Sequence, residues 1–227
     1  MSGTERVKYH ALTILCPMLL MAALTYGAGT LVFAHLTGEA AVSRAMAAGR
    51  TSLGNELTDF GSSLSDTPYI VALTAVTAIV LRLVLRRWRE PIFLIAAVWS
   101  QSLVFLATTN LVGRHRPPVP HLDEAPPTSS FPSGHVSAAV AFYCGVALVL
   151  TTHVRNRALQ VMIWTLSAAA PLAVGFSRVY RGMHFVTDVL WGLLLGIGCV
   201  VMAARAILYA RRVRGAQRSR ARPLSSR

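Results

Sequence analysis

The sequence predicts an all-α protein that crosses a membrane through six helices. Apolar and aromatic residues make up 54% of its 227 residues and charged residues only 14%, whereas soluble domains carry about 25% charged residues. Six apolar runs approach the ~20 residues that a helix needs to span a bilayer. The basic residues also fall mainly on one side of a six-span arrangement, as the positive-inside rule requires.

The six runs set the order of the predicted helices. They cover residues 9–38, 68–85, 91–113, 131–152, 158–176 and 185–204. The first run follows two basic residues, as a signal peptide would, but its apolar core is too long and no small-residue cleavage site follows it. We therefore predict one six-span membrane domain over residues 1–210, with both termini on the same side.

The arginines predict the orientation of this domain and explain its net charge of +13. With the N-terminus inside, 16 of the 22 Lys+Arg residues lie inside, and the outer side holds Arg44, Arg50, Arg114, Arg116, Arg178 and Arg181. This asymmetry accounts for the charge without a nucleic-acid partner. Residues 211–227 are rich in Arg and Ser, so we expect a disordered cytoplasmic tail that either touches anionic lipids or serves only as a topology signal.

The outer segment 37–67 has helical character of its own. Leu53, Leu57, Phe60 and Leu64 recur at helical spacing, which predicts a short helix lying along the membrane surface.

Polar residues near a membrane are costly and therefore mark candidate functional sites. The predicted topology brings three such clusters to the outer side. The first, after the third run, contains Arg114 and Arg116 next to two prolines. Guanidinium groups bind phosphate in a bidentate geometry, although a pair of interfacial arginines can also serve only to anchor a helix end.

The second cluster, Phe131-Pro132-Ser133-Gly134-His135, opens the fourth run. Pro and Ser favour a helix start, where exposed backbone N–H groups attract anions. Gly134 leaves room for an oxyanion, and His135 lies in the first turn. The alternative is a simple helix cap with a surface histidine.

The third cluster contains Ser177 and Arg178, followed by His184 and Asp188. His184 and Asp188 are four residues apart and share a helix face. A carboxylate in that position can hold one imidazole nitrogen and leave the other as a nucleophile or base. A structural His–Asp hydrogen bond is one alternative. A metal pair is another, but no third ligand has a metal-site spacing.

Taken together, the three clusters suit a phosphoryl group. Cationic donors offset the charge on its oxygens, one histidine can attack phosphorus, and the other can protonate the leaving oxygen.

These residues resemble the motifs of the type 2 phosphatidic acid phosphatase superfamily of integral membrane phosphatases. Pro132-Ser133-Gly134-His135 matches the second family motif, and Ser177-Arg178, His184 and Asp188 match the third at its full spacing. The first motif is a lysine, six residues and Arg-Pro. Here Arg116-Pro117 is present, but Thr109 stands at the lysine position.

The resemblance implies a role for each matched residue. His184 is expected to attack phosphorus and form a phosphohistidine that Asp188 orients, and His135 to protonate the leaving group. The phosphoryl oxygens are expected to contact Arg116, Arg178, Ser133 and Gly134, with no metal or other cofactor. Soluble vanadium haloperoxidases share the motifs, but six spans argue against that alternative.

Thr109 removes one expected cation from the phosphate site. Arg114 is the candidate to compensate for it, whereas Asp123 and Glu124 would repel phosphate and are expected to face water.

The predicted function is hydrolysis of a lipid phosphate at the outer surface of the plasma membrane. The substrate is a polyprenyl diphosphate, phosphatidic acid or phosphatidylglycerol phosphate, and an outward-facing site favours the first. A phosphotransferase with the same intermediate and a catalytically weak lipid-phosphate binder remain alternatives. The sequence does not predict the oligomeric state.

Overall fold

The computed structural model describes residues 3–35 and 38–209. The regular secondary structure of these residues is entirely helical, and turns and loops join the helices. The helices are α1 (Gly3–His35), α2 (Glu39–Ala48), α3 (Ser52–Ser63), α4 (Thr67–Leu85), α5 (Arg89–Val112), α6 (Gly134–Ala139), α7 (Gly145–Thr151), α8 (Arg157–Tyr180) and α9 (Val186–Ala203). The predicted all-α fold is confirmed. The tail 211–227 lies outside the described residues, so its expected disorder stays a prediction.

Six helical segments of the described residues are long and apolar enough to cross a membrane, which confirms the six predicted spans. They are Leu12–Leu31, Thr67–Leu85, Arg89–Val112, Gly134–Thr151, Arg157–Tyr180 and Val186–Leu208. The fifth span runs four residues further than its apolar run, so Ser177 and Arg178 lie in the last turn of α8 rather than in the following loop.

The fourth and sixth spans each contain a π-helical turn. Residues Val140–Cys144 join α6 to α7, and Ala204–Leu208 follow α9. The buried core lies where α4, α5, α7 and the two π-helical turns meet, with Phe93, Leu94 and Val149 among its members.

Helix α6 packs directly on α9 because two glycines of α9 face it. A Cβ atom at Gly192 would lie 2.7 Å from the Ser133 carbonyl oxygen, and one at Gly196 would lie 2.6 Å from the Cβ atom of Val140. The Ser133 N–H donates to the Asp188 carbonyl at 3.0 Å. The second and third motifs are thereby held together at one end of the bundle.

Helices α2 and α3 confirm the helical character of the outer segment. The Thr51 hydroxyl caps α3 by accepting from the Gly54 N–H at 3.0 Å. Leu53, Leu57 and Phe60 leave an exposed apolar row on α3, as a helix lying on a membrane surface would. On its other side α3 packs against α8, where a Cβ atom at Gly61 would meet the Ser177 hydroxyl.

Candidate active site

The three polar clusters meet at one cavity of about 1260 Å³ at the end of the bundle that carries α2 and α3. Of the expected site residues, Thr109, Arg116, Gly134, His135, Arg178 and His184 line it. Ser133 and Asp188 are completely buried. Arg114 is also buried, but it faces other partners.

His184 lies in the turn between α8 and α9. Gly182 makes this turn possible because its φ of +78° falls in the left-handed region, and a Cβ atom there would approach Val119 to 2.8 Å. The His184 side chain is 5% exposed. Burial lowers the pKa of His184 to about 4, so the ring is neutral at neutral pH.

A backbone carbonyl determines which nitrogen of His184 is free. Nδ1 of His184 lies 2.6 Å from the Ser130 carbonyl oxygen. Because a carbonyl can only accept a hydrogen bond, Nδ1 carries the proton and Nε2 keeps its lone pair. Nε2 is therefore the nitrogen that can act as a nucleophile.

Asp188 supports His184 less directly than the four-residue spacing suggests. Its Oδ2 atom lies 3.7 Å from Nδ1 of His184 and accepts the Phe185 N–H at 2.8 Å. The ring was expected to donate its hydrogen bond to Asp188, but Nδ1 donates to the Ser130 carbonyl, and the carboxylate supplies negative charge beside it.

Arg114, the candidate to compensate for the missing family lysine, is held by two acidic partners instead. Its guanidinium donates to Oδ1 of Asp188, to the Thr187 hydroxyl at 2.8 Å and to Glu39 at 2.5 Å. It also stacks on the Phe185 ring, 4.3 Å from the ring centroid. Since Asp188 is fully buried, it needs a compensating cation, and Arg114 is that counter-ion. The sequence carried no sign of Glu39, which lies 75 positions away.

Three of the residues expected to bind phosphate have a buried polar atom without a partner. They are Nε of Arg116, Nε of Arg178 and the hydroxyl of Ser133, out of seven such atoms in the described residues. Buried polar groups without partners are rare in native proteins and call for an explanation. Donors of this kind are the partners that an oxyanion requires.

The remaining hydrogen bonds of the two arginines hold their side chains in place. Nη1 of Arg116 donates to the Met183 carbonyl at 2.8 Å, and Nη1 of Arg178 donates to the Ser62 hydroxyl at 2.9 Å. Burial lowers the pKa of Arg116, an effect that Asp188 opposes. Sequence reasoning did not find Ser62, because it lies in α3 and 116 residues from Arg178.

Asp123 and Glu124 line the cavity instead of facing away from it. Asp123 accepts from Arg178 at 2.9 Å and from Arg181 at 2.5 Å. The expectation that Asp123 would repel a bound phosphate overlooked this pairing, in which two arginines neutralise the carboxylate. The hydrogen bond to Asp123 and its charge raise the pKa of Arg181.

Thr109 lies in the cavity wall at the position expected for the family lysine. Its hydroxyl donates to the Ser129 carbonyl at 3.3 Å, and the side chain is buried. It contributes a neutral group where a cation would otherwise stand.

His135 has a partner that the sequence did not reveal. Its Nε2 atom lies 3.1 Å from Oδ1 of Asp66, the residue that precedes α4. Asp66 also lines the cavity. No cluster of three or more His, Cys, Asp or Glu residues suited to a metal ion occurs among the residues described.

The family model of the PAP2 superfamily matches residues 90–212, more than half of the chain. The chain belongs to the PAP2 superfamily. This confirms the resemblance read from the motifs, and the matched region contains all the expected catalytic and phosphate-binding residues.

Two curated relatives share part of this region. The chain is 42% identical over 69 residues to phosphatidylglycerophosphatase B of Bacillus subtilis (strain 168), which is 30% of this chain and 34% of the relative. It is 32% identical over 78 residues to lipid A 4'-phosphatase of Porphyromonas gingivalis, 34% of this chain and 31% of the relative. The matches thus span about a third of each relative's length.

Two solved structures share the fold at 23% sequence identity. The transmembrane PAP2 type phosphatidylglycerolphosphate phosphatase from Bacillus subtilis superposes with a TM-score of 0.73 over 90% of this chain and 98% of its own. The structure of Aquifex aeolicus LpxE gives a TM-score of 0.56 over 72% and 92%. Together with the six apolar helices, these likenesses identify a multi-pass membrane protein.

Proposed function

We propose that this protein hydrolyses the terminal phosphoryl group of a membrane lipid through a covalent intermediate on His184. The observation that carries the proposal is that Arg116 and Arg178, each with a buried Nε atom that has no partner, line the cavity that also holds the neutral His184 ring. The Ser133 hydroxyl, which is also buried without a partner, precedes Gly134 and His135 of the cavity wall. Donors fixed in a buried site stabilise a phosphoryl transition state strongly, because they need no reorganisation during the reaction.

The reaction has two steps, with His135 acting in both. Nε2 of His184 bonds to phosphorus while the P–O bond to the lipid breaks, and the lipid oxygen takes its electron pair and a proton from His135. His135 then removes a proton from a water molecule as the water oxygen bonds to phosphorus. The N–P bond breaks, its electron pair returns to Nε2, and inorganic phosphate leaves.

The shape of the cavity supports a lipid as the substrate. From the polar end it extends between α4 and α5, where Ile70, Val71, Ile95, Trp99 and Leu103 line it. Apolar walls on membrane-spanning helices suit an acyl or prenyl chain, because the chain can line up against them without leaving apolar surroundings. The curated relatives are named for phosphatases of lipid phosphates, which agrees with this assignment.

The site is proposed to face the extracytoplasmic side of the plasma membrane, with both termini in the cytoplasm. The support is the charge asymmetry: the cavity end carries six of the 22 basic residues, and the other end and the tail carry the rest. Positive charge concentrates on the cytoplasmic side of membrane proteins.

The test is phosphate release by the purified protein in detergent from phosphatidic acid, phosphatidylglycerol phosphate and a prenyl diphosphate. We expect release that persists in EDTA, disappears in His184→Gln and is unchanged in His153→Gln. His153 is a matched control because it contacts Arg87 at the opposite end of the bundle.

Other results of the same assay would distinguish a phosphotransferase and a lipid-phosphate binder from a phosphatase. Release that requires an added acceptor alcohol would identify a phosphotransferase. Saturable binding of the lipids without any release, in a folded sample, would identify a lipid-phosphate binder and contradict the proposal.

A further inference from the structure

Asp66 occupies a helix-capping position without acting as a cap. It is the residue before the first turn of α4, where an Asp side chain normally accepts a backbone N–H of that turn. Here the side chain makes no such hydrogen bond, and Pro68 stands at the start of the helix. The carboxylate instead accepts a hydrogen bond from Nε2 of His135, 69 residues away.

This contact defines the protonation of both partners. The hydrogen bond from His135 is the largest influence lowering the pKa of Asp66, so the carboxylate is charged at neutral pH. A charged carboxylate only accepts hydrogen bonds, so Nε2 of His135 keeps its proton. Nδ1 is then the nitrogen that can release a proton to a leaving group and accept one from water.

We propose that Asp66 is the positioning residue for His135, and that through it the site is adapted to leaving groups that need a proton. This inference rests on the proposed function. The carboxylate holds the ring in one orientation and stabilises its protonated form, as the Asp of a catalytic triad does for its histidine. Asp66 itself touches neither phosphorus nor the lipid oxygen.

The leaving group determines how much this help is worth. When a phosphomonoester breaks, the lipid oxygen would depart as an alkoxide, a strong base that needs the proton of His135. When a diphosphate breaks, the departing oxygen belongs to a phosphate monoester, whose second pKa is only about 6, so it can depart without a proton. The Asp66 carboxylate also places a negative charge in the cavity that would hold the departing phosphate. The geometry therefore favours a lipid monophosphate over the polyprenyl diphosphate preferred from the sequence.

The experiment compares farnesyl phosphate with farnesyl diphosphate, which share one tail and differ in the leaving group. In Asp66→Asn, kcat/KM for the monophosphate should fall about 100-fold, the scale of general acid catalysis. For the diphosphate it should change by no more than about threefold, because protonation contributes little there. Asp66→Ser, which keeps a capping side chain and removes the charge, should give the same pattern.

The matched control is Asp59→Asn. Asp59 lines the same cavity and carries the same charge, but it is 71% exposed and pairs with Arg181 instead of a histidine. We expect it to leave the ratio of kcat/KM for the two substrates unchanged.

Other results would contradict either the role of Asp66 alone or the proposed function as well. Equal losses on both substrates in Asp66→Asn, or none, would show that Asp66 has only a structural role, while the proposed function would stand. Phosphate release that continues in His184→Gln, or no release by the parent protein from either substrate, would refute the proposed function and the role of Asp66 with it.

Discussion

Replacing Arg114 with methionine tests whether this arginine serves as a counter-ion or as a phosphate ligand. Arg114 is 5% exposed and lies between Asp188, which is fully buried, and Glu39. Removing one partner of a buried ion pair costs about 3–5 kcal/mol, because an uncompensated charge is left behind. For a domain of 150–250 residues this corresponds to a fall in Tm of roughly 6–20 °C.

Arg116→Met is the matched comparison, because its guanidinium makes one hydrogen bond, to the Met183 carbonyl, among the interactions found in the described residues. Losing a hydrogen bond of this kind costs about 1 kcal/mol, or a few degrees in Tm. Its main effect should be a rise in KM, since the substrate loses a cation.

The assay is thermal unfolding in detergent followed by tryptophan fluorescence, with KM measured on the same samples. Adding Glu39→Gln to Arg114→Met removes one of the two unpaired carboxylates and should restore part of the lost Tm. If Arg114→Met keeps the parent Tm and raises KM as Arg116→Met does, Arg114 binds phosphate and the counter-ion assignment is wrong.

Three further substitutions probe the site. Thr109→Lys places a cation in the cavity wall and should raise kcat/KM about tenfold, the effect of a new charge-assisted contact; no gain would show that the lysine position does not reach the phosphate. Asp123→Asn removes the carboxylate paired with Arg178, leaving Nη1 its hydrogen bond to Ser62, and should strengthen inhibition by inorganic phosphate severalfold in a competition assay; unchanged inhibition would show that the carboxylate does not compete. His184 has a pKa lowered from 6.5 to about 4, so between those values the unfolded chain binds a proton that the folded protein does not, and the free energy of unfolding should fall with decreasing pH by up to about 1.4 kcal/mol per unit. The slope should be smaller in His184→Gln, and equal slopes would contradict the burial argument.

The parts of the site that the sequence predicted are those linked by short spacings or by topology. Six apolar runs predicted the spans and brought the motifs to one end of the bundle. The pairing of His184 with Asp188 followed from helical geometry, but the Ser130 carbonyl lies nearer to the ring. That carbonyl leaves no trace in side-chain chemistry, because any residue at position 130 supplies it.

The contacts that the sequence missed all join distant segments. Glu39 meets Arg114 from 75 residues away, and Asp66 meets His135 from 69. Arg114 looked like a phosphate ligand because it stands two residues from Arg116, yet the two side chains reach different partners. Asp123 was expected to avoid the site because its charge was considered alone, without the arginines that neutralise it. Pairings of this kind depend on how α2, α3 and the loops fold back over the bundle end.

The central claim is that His184 carries the phosphoryl group, and trapping the intermediate tests it most directly. The purified protein would be mixed with a ³²P-labelled lipid monophosphate and quenched in alkali after less than one turnover, since a phosphohistidine survives alkali and is lost in acid. The proposed mechanism predicts one alkali-stable label, located at His184 by peptide mapping and absent from His184→Gln. Phosphate release without any label on the protein, or a label that remains in His184→Gln, would contradict it.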